Sequence, residues 1–158
     1  MRASDELCQR FRSLGYKVTP QRRYIFRVLE GNSDHLSADG LYAQVREYVP
    51  DISLATVYNT LRELVELGEI RELDLGEGKS RFDPETSAHQ HLTCVRCRSV
   101  VDVPCDREHA SLLEEQRQGY SILGVDVTWY GVCPACQAEQ GKDWPQMDAR
   151  LWGVSYTS

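Results

Sequence analysis

The sequence contains no long apolar run. None of its stretches approaches the roughly 20 consecutive apolar residues that a transmembrane helix needs, which argues against a membrane protein. Residues 1–6 are acidic and lack an apolar stretch, so they do not form a secretory signal. We therefore expect a cytoplasmic protein. Because disulfides seldom persist in the cytoplasm, the six cysteines need another explanation.

The motifs of several enzyme classes are also absent. The sequence has no nucleophile elbow, no P-loop and no dinucleotide-binding fingerprint. A zinc deaminase combines its cysteine pair with an H-x-E motif whose glutamate is catalytic. The histidines of the second half instead stand in the motifs H-Q-H (residues 89–91) and H-A-S (residues 109–111). We therefore predict that the protein is not an enzyme.

Positive charge is in overall deficit, but it is unevenly distributed. The chain has 18 basic and 24 acidic residues, which give a formal net charge of −6. Residues 1–30 nevertheless contain seven basic and three acidic groups, a local charge of +4. Residues 83–158 contain six basic and eleven acidic groups, a local charge of −5. The first segment therefore suits a polyanion such as nucleic acid, and the second repels it.

The first half of the sequence predicts four short helices followed by a β-hairpin. A hydroxyl residue stands at the start of three of these helices, where it can cap free backbone N–H groups. These residues are Thr19, Ser37 and Ser53. In the third helix, Leu41, Val45 and Tyr48 are predicted to face inward. Residues 70–75 and 79–83 are then predicted to form two strands, joined by a turn at residues 76–78.

The second half predicts strands interrupted by one helix. The strands are expected at residues 91–94, 100–103, 120–123 and 125–132, and the helix at about residues 106–118. The chain is thus expected to be α+β. We divide it into an N-terminal winged helix-turn-helix domain (1–83), a hinge (84–88), a C-terminal domain (89–138) and a tail of unknown structure (139–158).

Four of the six cysteines form two C-x-x-C pairs, Cys94 with Cys97 and Cys133 with Cys136. Each pair places two thiolates within reach of one tetrahedral ion, and two pairs complete a Cys₄ site. The alternative is two separate redox dithiols, but such a dithiol begins a helix, and neither pair is followed by a helical pattern. We predict a structural Zn²⁺ that ties the first strand of the second half to its last. Cys8 and Cys105 lack a partner at metal-binding spacing.

The third and fourth helices and the hairpin have the layout of a winged helix-turn-helix. Ala55, Tyr58, Asn59 and Arg62 lie on the face of the fourth helix opposite its apolar residues, as in a recognition helix that contacts bases and phosphates. A solvated polar face would show the same pattern. Basic residues near the second helix and the hairpin turn favour binding to double-stranded DNA. They are Lys17, Arg22, Arg23 and Arg27, and then Lys79 and Arg81.

A second set of potential metal ligands surrounds the hinge. His89 and His91 are separated by one residue, so both can point to one side of an extended segment, although solvated loop histidines would look the same. His35, Asp83 and Asp102 complete a set of three imidazoles and two carboxylates. Such a nitrogen and oxygen set suits Fe²⁺ or Mn²⁺ better than a thiolate site would. These ligands could hold the two halves in one relative orientation.

Four ordered motifs resemble those of the ferric uptake regulator (Fur) superfamily. They are V-T-P-Q-R at residues 18–22, S-L-A-T-V-Y-N-T-L at 53–61, H-Q-H-L-T-C-x-x-C at 89–97 and Y-G-V-C-x-x-C at 130–136. The resemblance implies a dimeric, metal-dependent transcriptional regulator with an N-terminal winged helix and a C-terminal α/β dimerisation domain. A homodimer with two recognition helices is expected to prefer an inverted-repeat operator.

The resemblance also implies roles for individual residues. The four paired cysteines match the structural zinc ligands of the family. The regulatory metal site is matched by His35, Asp83, His89, His91 and Asp102. Iron-uptake members usually have glutamate where this chain has Asp83 and Asp102, and the two aspartates are similar to the peroxide-sensing (PerR) branch. In that branch His35 and His89 would be the targets of oxidation.

The resulting interpretation is a repressor that senses peroxide through oxidation of histidine ligands of a bound Fe²⁺. One alternative is an iron- or manganese-responsive uptake regulator that does not sense peroxide. A second alternative is a zinc-ribbon thiol switch, in which the C-x-x-C pairs themselves would be oxidised.

Overall fold

The computed structural model of the protein describes residues 1–74, 80–104 and 112–139 and has an α+β architecture. Lys79, Cys105 and residues 140–158 lie outside the described residues. The helical half contains α1 (Ser4–Ser13), α2 (Pro20–Leu29), α3 (Ala38–Arg46) and α4 (Leu54–Glu66), and it ends in the strands β1 (Arg71–Asp74) and β2 (Ser80–Asp83). The remainder contains β3 (His89–Cys94), β4 (Val100–Pro104), a 3₁₀ turn (Glu114–Arg117), β5 (Thr128–Gly131) and α5 (Pro134–Ala138).

The predicted caps of the helices are confirmed. The hydroxyl oxygens of Thr19, Ser37 and Ser53 each accept a hydrogen bond from the backbone N–H three residues later, at the starts of α2, α3 and α4. Gly68 follows α4 with a φ of +67°, a left-handed conformation that glycine adopts without steric cost. No helix in the described ranges has both the length and the apolar character needed to cross a membrane.

The core of the helical half lies among α1 to α4. Its largest fully buried side chains include Leu7, Phe11, Ile25, Phe26, Leu29, Leu41, Leu61 and Leu64. Tyr48 was predicted to face inward, and this prediction is wrong, because Tyr48 is 66% exposed. The reason is that α3 ends at Arg46, so the helical periodicity does not extend to this residue. The ring of Tyr48 stacks instead on that of Tyr24, with centroids 5.7 Å apart.

The hairpin packs beside the loop that precedes α3. Strands β1 and β2 are antiparallel, with Arg71 opposite Asp83. The backbone N–H of Phe82 donates to the carbonyl of Leu36 at 3.0 Å, which ties β2 to this loop. The order of α3, α4 and hairpin is the predicted winged helix-turn-helix layout, and it places residues 35 and 83 close together.

The second half contains a three-stranded sheet in the order β4-β3-β5. Strand β3 pairs antiparallel with β4 and parallel with β5. The first and last strands of this half are therefore direct neighbours, as the cysteine spacing predicts. Residues 84–88, the predicted hinge, join β2 to β3 without regular secondary structure.

Two predicted elements of the second half are not found among the residues that the structure describes. Of the helix predicted over residues 106–118, residues 112–118 contain only the 3₁₀ turn, and the preceding residues lie outside the described part of the chain. The strand predicted at residues 120–123 is absent, and the one predicted at 125–132 is limited to β5. Apolar side chains in this segment, such as Leu113, Tyr120 and Leu123, are exposed, so no burial stabilises regular structure here.

Candidate metal centres

The four cysteines of the two C-x-x-C pairs converge at one end of the sheet. Cys94 ends β3 and pairs across the parallel ladder with Gly131, so the segment after β5 brings Cys133 to the first pair. The four Sγ atoms all lie within 4.8 Å of one another. The sulfur atoms of Cys97 and Cys133 are 3.6 Å apart, within hydrogen-bonding distance, and form no disulfide.

The expectation that neither cysteine pair is followed by a helix is wrong for the second pair. Cys133 caps α5, because its sulfur accepts a hydrogen bond from the backbone N–H of Cys136 at 3.5 Å and Pro134 occupies the first helical position. This short helix is a feature of redox dithiols too. The contacts of Cys133 with sulfur atoms of the first pair distinguish the arrangement from two independent dithiols.

Electrostatics within the cysteine cluster favour a bound cation. Burial opposes the thiolate form of Cys94, but the backbone N–H groups of Cys133, Cys97 and Arg96 outweigh it and lower the pKa of Cys94 to about 6. Contact with Cys133 and burial instead raise the pKa of Cys136 to about 12. Thiolates this close repel one another unless a cation lies among them. The cluster therefore fits a structural zinc site, since Zn²⁺ binds four thiolates tetrahedrally.

A second cluster joins the helical half to the sheet. His35 precedes α3, Asp83 ends β2, His89 and His91 lie on β3, and Asp102 lies opposite His91 on β4. One ligand atom from each of the first four residues lies within 4.8 Å of the other three. The Oδ1 atom of Asp102 lies 2.8 Å from Nε2 of His35, 3.5 Å from Nε2 of His89 and 3.8 Å from Nε2 of His91. The structure thus brings all five predicted ligands together.

Backbone carbonyls orient two of the imidazole rings. Nδ1 of His35 lies 2.9 Å from the carbonyl oxygen of Ser33, and Nδ1 of His89 lies 3.0 Å from that of Ser87. Because a carbonyl only accepts hydrogen bonds, each ring carries its hydrogen on Nδ1. In the neutral form, each ring therefore presents the lone pair of Nε2 to the cluster, as a metal ligand must.

Two buried atoms inside the cluster lack hydrogen-bond partners among the described residues. They are Oδ2 of Asp83 and Nε2 of His35; the latter lies 2.8 Å from Oδ1 of Asp102, but with the ring hydrogen on Nδ1 both of these atoms are acceptors. The other oxygen of Asp83, Oδ1, accepts from the backbone N–H of Glu85 at 2.8 Å, which leaves Oδ2 to face the cluster. Buried polar atoms without partners are costly, and a bound cation would offset this cost.

The donor set has the chemistry of a divalent metal site. Burial lowers the pKa of His91, and the neighbouring His89 lowers it further. The carboxylates of Asp83 and Asp102 act in the opposite direction, but the net effect is a lowered pKa. His91 is therefore neutral at pH 7, the form that binds metals. Three imidazole nitrogens with two carboxylates fit a regulatory metal such as Fe²⁺ or Mn²⁺.

The cluster opens to solvent on one side. The side chain of Asp102 is 36% exposed, whereas those of the other four ligands are 1–7% exposed. Small solutes and metal ions would therefore approach past Asp102.

The predicted DNA-contact face of α4 points outward. Ala55, Tyr58, Asn59 and Arg62 are all exposed, while the opposite face of the helix is buried. Nη2 of Arg62 donates to Oδ1 of Asn59 at 3.4 Å, so these two side chains adjoin along one row. Contact of this face with DNA stays a prediction.

The basic residues outside α4 differ in their exposure and in their contacts. Lys17, Arg23 and Arg27 are exposed. Arg22 instead forms a 2.6 Å ion pair with Glu63 and donates to the carbonyl of Lys17, so it is less available to phosphate than the sequence predicts. Lys79 lies outside the described residues.

Arg81 does not extend from the hairpin turn as the sequence predicts. Its guanidinium group turns towards the second half of the protein and donates to the backbone carbonyls of His35 and Arg98. The side chain therefore lies beside the His/Asp cluster and not at the tip of a wing. The backbone carbonyls decide this orientation, and they leave no trace in the sequence pattern.

Sequence analysis also missed the residues whose backbone orients the ligands. Ser33 and Ser87 each stand two positions before a histidine, and each accepts from Nδ1 of that histidine. The spacing S-x-H thus occurs twice, at residues 33–35 and 87–89. Because the acceptors are backbone carbonyls, which every residue has, this spacing alone does not identify them.

Comparison with known proteins identifies the family. Residues 13–130 match the sequence model of the ferric uptake regulator family. The chain belongs to this family. It is 36% identical over 138 residues to the peroxide-responsive repressor PerR of Staphylococcus aureus, an alignment that covers 84% of this chain and 90% of that protein.

Solved structures of this family superimpose on the fold. The ferric uptake regulator of Vibrio cholerae matches with a TM-score of 0.65 and 30% identity, covering 80% of this chain and 99% of that one. PerR from Streptococcus pyogenes matches with a TM-score of 0.50 and 28% identity, covering 87% of this chain and 95% of that one. The predicted family resemblance and the α+β fold are confirmed. The family and these relatives are regulators rather than enzymes.

Proposed function

We propose that this family member is a metal-dependent repressor of transcription that senses hydrogen peroxide through oxidation of a histidine in its His/Asp cluster. The observation that carries the proposal is the composition of the cluster, which has five nitrogen and oxygen ligands and no cysteine. Both carboxylate ligands are aspartates, which the motif resemblance links to the peroxide-sensing branch. The 36% identity to a peroxide-responsive repressor supports the same branch.

The proposal assigns one role to each cluster. Cys94, Cys97, Cys133 and Cys136 would hold the structural Zn²⁺. His35, Asp83, His89, His91 and Asp102 would hold Fe²⁺ or Mn²⁺. Bound Fe²⁺ would supply one electron to break the O–O bond of hydrogen peroxide beside the imidazoles; overall, one peroxide oxygen would replace a hydrogen on a histidine ring carbon and the other would leave as water. Mn²⁺, a poor one-electron donor, would bind the same residues without that sensitivity. His35 and His89 are the proposed targets.

The cluster spans the proposed boundary between two domains. His35 and Asp83 belong to the proposed DNA-binding domain (1–83), and the other three ligands belong to the proposed dimerisation and metal-binding domain (89–138), with residues 84–88 as the hinge. Oxidation of His35 would remove the ligand that ties the loop before α3 to the sheet. The DNA-binding domain would then lose its fixed orientation, and the repressor would release DNA.

Two exposed surfaces support binding to DNA as a homodimer. The outward face of α4 offers amide, aromatic and guanidinium groups to a major groove. The sheet exposes apolar side chains, including Leu92, Val101 and Trp129, which a second copy of the chain would cover. A two-fold dimer presents two such helices, so the proposed operator is an inverted repeat. A repressor works where the chromosome lies, which places the proposed function in the cytoplasm.

Protein mass after peroxide treatment tests the proposal. The zinc-loaded protein would be charged with Fe²⁺ or, as the matched control, with Mn²⁺, and exposed to the same low dose of hydrogen peroxide. We expect a gain of about 16 Da, one oxygen atom, only with Fe²⁺, and peptide mapping should place it on His35 or His89. Affinity for DNA should fall in the same sample. Asp102→Glu should keep metal-dependent DNA binding and reduce the oxidation.

Other results would favour other functions. Unmodified protein that still binds DNA with Fe²⁺ or Mn²⁺ would indicate an iron- or manganese-responsive uptake regulator, which the similarity to the Vibrio cholerae regulator favours. Oxygen on the cysteines, with zinc release and intact histidines, would indicate a thiol switch. The exposure of Cys97 and its 3.6 Å distance to Cys133 make that result chemically reasonable.

A further inference from the structure

Arg81 lies between the two clusters and contacts the backbone near both. It stands on β2, two residues before Asp83. Its Nη1 donates to the carbonyl oxygen of His35 at 3.4 Å, and its Nη2 donates to the carbonyl oxygen of Arg98 at 3.5 Å. One guanidinium group thus bridges the loop before α3 and the turn after the first cysteine pair.

Both carbonyls belong to residues with unusual backbone conformations. The φ angles are +48° for His35 and +60° for Arg98, in the left-handed region that disfavours side chains with a Cβ atom. In the described part of the chain, only Gln118 is another non-glycine residue with positive φ. Such conformations persist only where the surroundings stabilise them. The hydrogen bonds from Arg81 are a stabilising contact that the two residues share.

Each of these residues belongs to one cluster. His35 supplies the ligand from the helical half, and its ring direction depends on the conformation of residues 33–35. Arg98 lies in the turn that follows Cys97, and its backbone N–H donates to the carbonyl of Cys94 at 2.9 Å. Arg81 therefore contacts one backbone segment of each cluster.

We propose that Arg81 is a positioning residue for the His/Asp cluster, which ties the loop of His35 to the turn after Cys97. It holds the backbone of His35 so that Nε2 faces the other ligands, and it anchors this loop on the turn after Cys97. The planar guanidinium group suits this role because it offers two separate N–H donors at a fixed spacing, which a lysine ammonium does not. The inference rests on the proposed metal site and adds a determinant of its affinity.

Two substitutions at position 81 test this positioning role in the full-length, zinc-loaded protein. Arg81→Met removes both hydrogen bonds, and Arg81→Lys keeps the charge but can reach one carbonyl at a time. We expect the affinity for Mn²⁺, measured by calorimetry without DNA, to fall about tenfold in Arg81→Met, a usual loss when a residue that orients a ligand is removed. The Mn²⁺ affinity of Arg81→Lys should lie between those of the parent protein and Arg81→Met. Zinc stoichiometry should remain that of the parent protein.

A measurement without Mn²⁺ separates positioning from metal binding. Amide hydrogen exchange of residues 33–36 should accelerate in Arg81→Met, while that of the α1 to α4 core should stay unchanged. Arg12→Met is the matched control, because Arg12 is an exposed arginine of α1. It should alter neither exchange nor Mn²⁺ affinity.

The possible results separate this inference from the proposed function. If the parent protein binds Mn²⁺ and both Arg81 variants bind it equally well, the inference is wrong and the proposed function stands. If the parent protein binds neither Mn²⁺ nor Fe²⁺, the proposed function is wrong, and unchanged exchange at residues 33–36 would overturn the positioning role as well. If Arg81→Met loses zinc, the Mn²⁺ affinity of Arg81→Lys becomes the test. An affinity equal to that of the parent protein would then overturn the inference.

Discussion

Tyr58 is the single residue that tests the DNA-binding part of the proposal most directly. Its side chain is 49% exposed on the outward face of α4, beside Asn59. We expect Tyr58→Ala to weaken discrimination between operator and random duplex by ~1–3 kcal/mol, the usual contribution of a specific base contact. The ratio of the two dissociation constants, measured at one salt concentration with Mn²⁺-loaded protein and a selected operator, gives this value.

Tyr48→Ala is the control for loss of an exposed tyrosine. Tyr48 lies beyond the end of α3 and stacks on Tyr24, away from the row of polar residues on α4. This change should leave the ratio as it is. An unchanged ratio in Tyr58→Ala would mean that the recognition surface lies on another part of the protein.

At the level of single residues, the sequence predicted which side chains would form the two clusters but not how they would be oriented. The ligand residue types and their order along the chain are visible in the sequence. The carbonyls of Ser33 and Ser87 that orient His35 and His89 are backbone atoms, common to all residues, so their role appears only in three dimensions.

At the level of elements, the ion pair of Arg22 and Glu63 joins α2 to α4. The two side chains are 16% and 17% exposed, and Oε2 of Glu63 is buried without a hydrogen-bond partner among the described residues. Replacing Arg22 alone leaves this carboxylate unpaired in a poorly solvated place. We expect Arg22→Met to lower the free energy of unfolding, measured with urea, by about 1–3 kcal/mol.

The double substitution Arg22→Met with Glu63→Met completes this experiment. It removes both charges, so it should recover most of the stability that Arg22→Met loses. If Arg22→Met keeps its stability but reduces the salt dependence of DNA binding, Arg22 contacts phosphate, as the sequence predicts.

Elements were predictable where their signals are local. The hydroxyl caps of α2, α3 and α4 act within one helical turn, and sequence alone placed these helix starts correctly. The prediction of a strand at residues 120–123 was wrong because a strand needs a second strand to pair with, and the sequence pattern does not show whether one is available. The prediction that Tyr48 faces inward was wrong because it extended the helical pattern of α3 beyond the end of the helix.

At the level of the whole molecule, the cysteine cluster is the link that closes the C-terminal sheet. Cys94 and Cys133 extend from the neighbouring strands β3 and β5, so a shared ion would hold these strands together. Because a metal site in a small domain contributes directly to folding, we expect Cys94→Ser to lose zinc and to be largely monomeric or aggregated. Zinc stoichiometry and light scattering measure both effects.

Cys8→Ala is the matched control for the loss of a cysteine. Cys8 is buried in the helical half, on α1 and outside the cluster. Zinc content and oligomeric state should stay those of the parent protein. A Cys94→Ser protein that remains dimeric without zinc would show that the ion is not structural.

The family, the helices of the first half and the members of both clusters could be predicted from the amino-acid sequence alone. Ligand chemistry depends on residue type, and C-x-x-C and H-x-H spacings bring side chains together locally, so both can be read along the chain. The three-dimensional fold was needed to show how the rings of His35 and His89 are oriented and that Arg81 reaches Arg98, because these depend on backbone positions and on contacts between distant segments. It also decided that Arg22 is paired with Glu63, since a charge shows its partner only when α2 packs against α4.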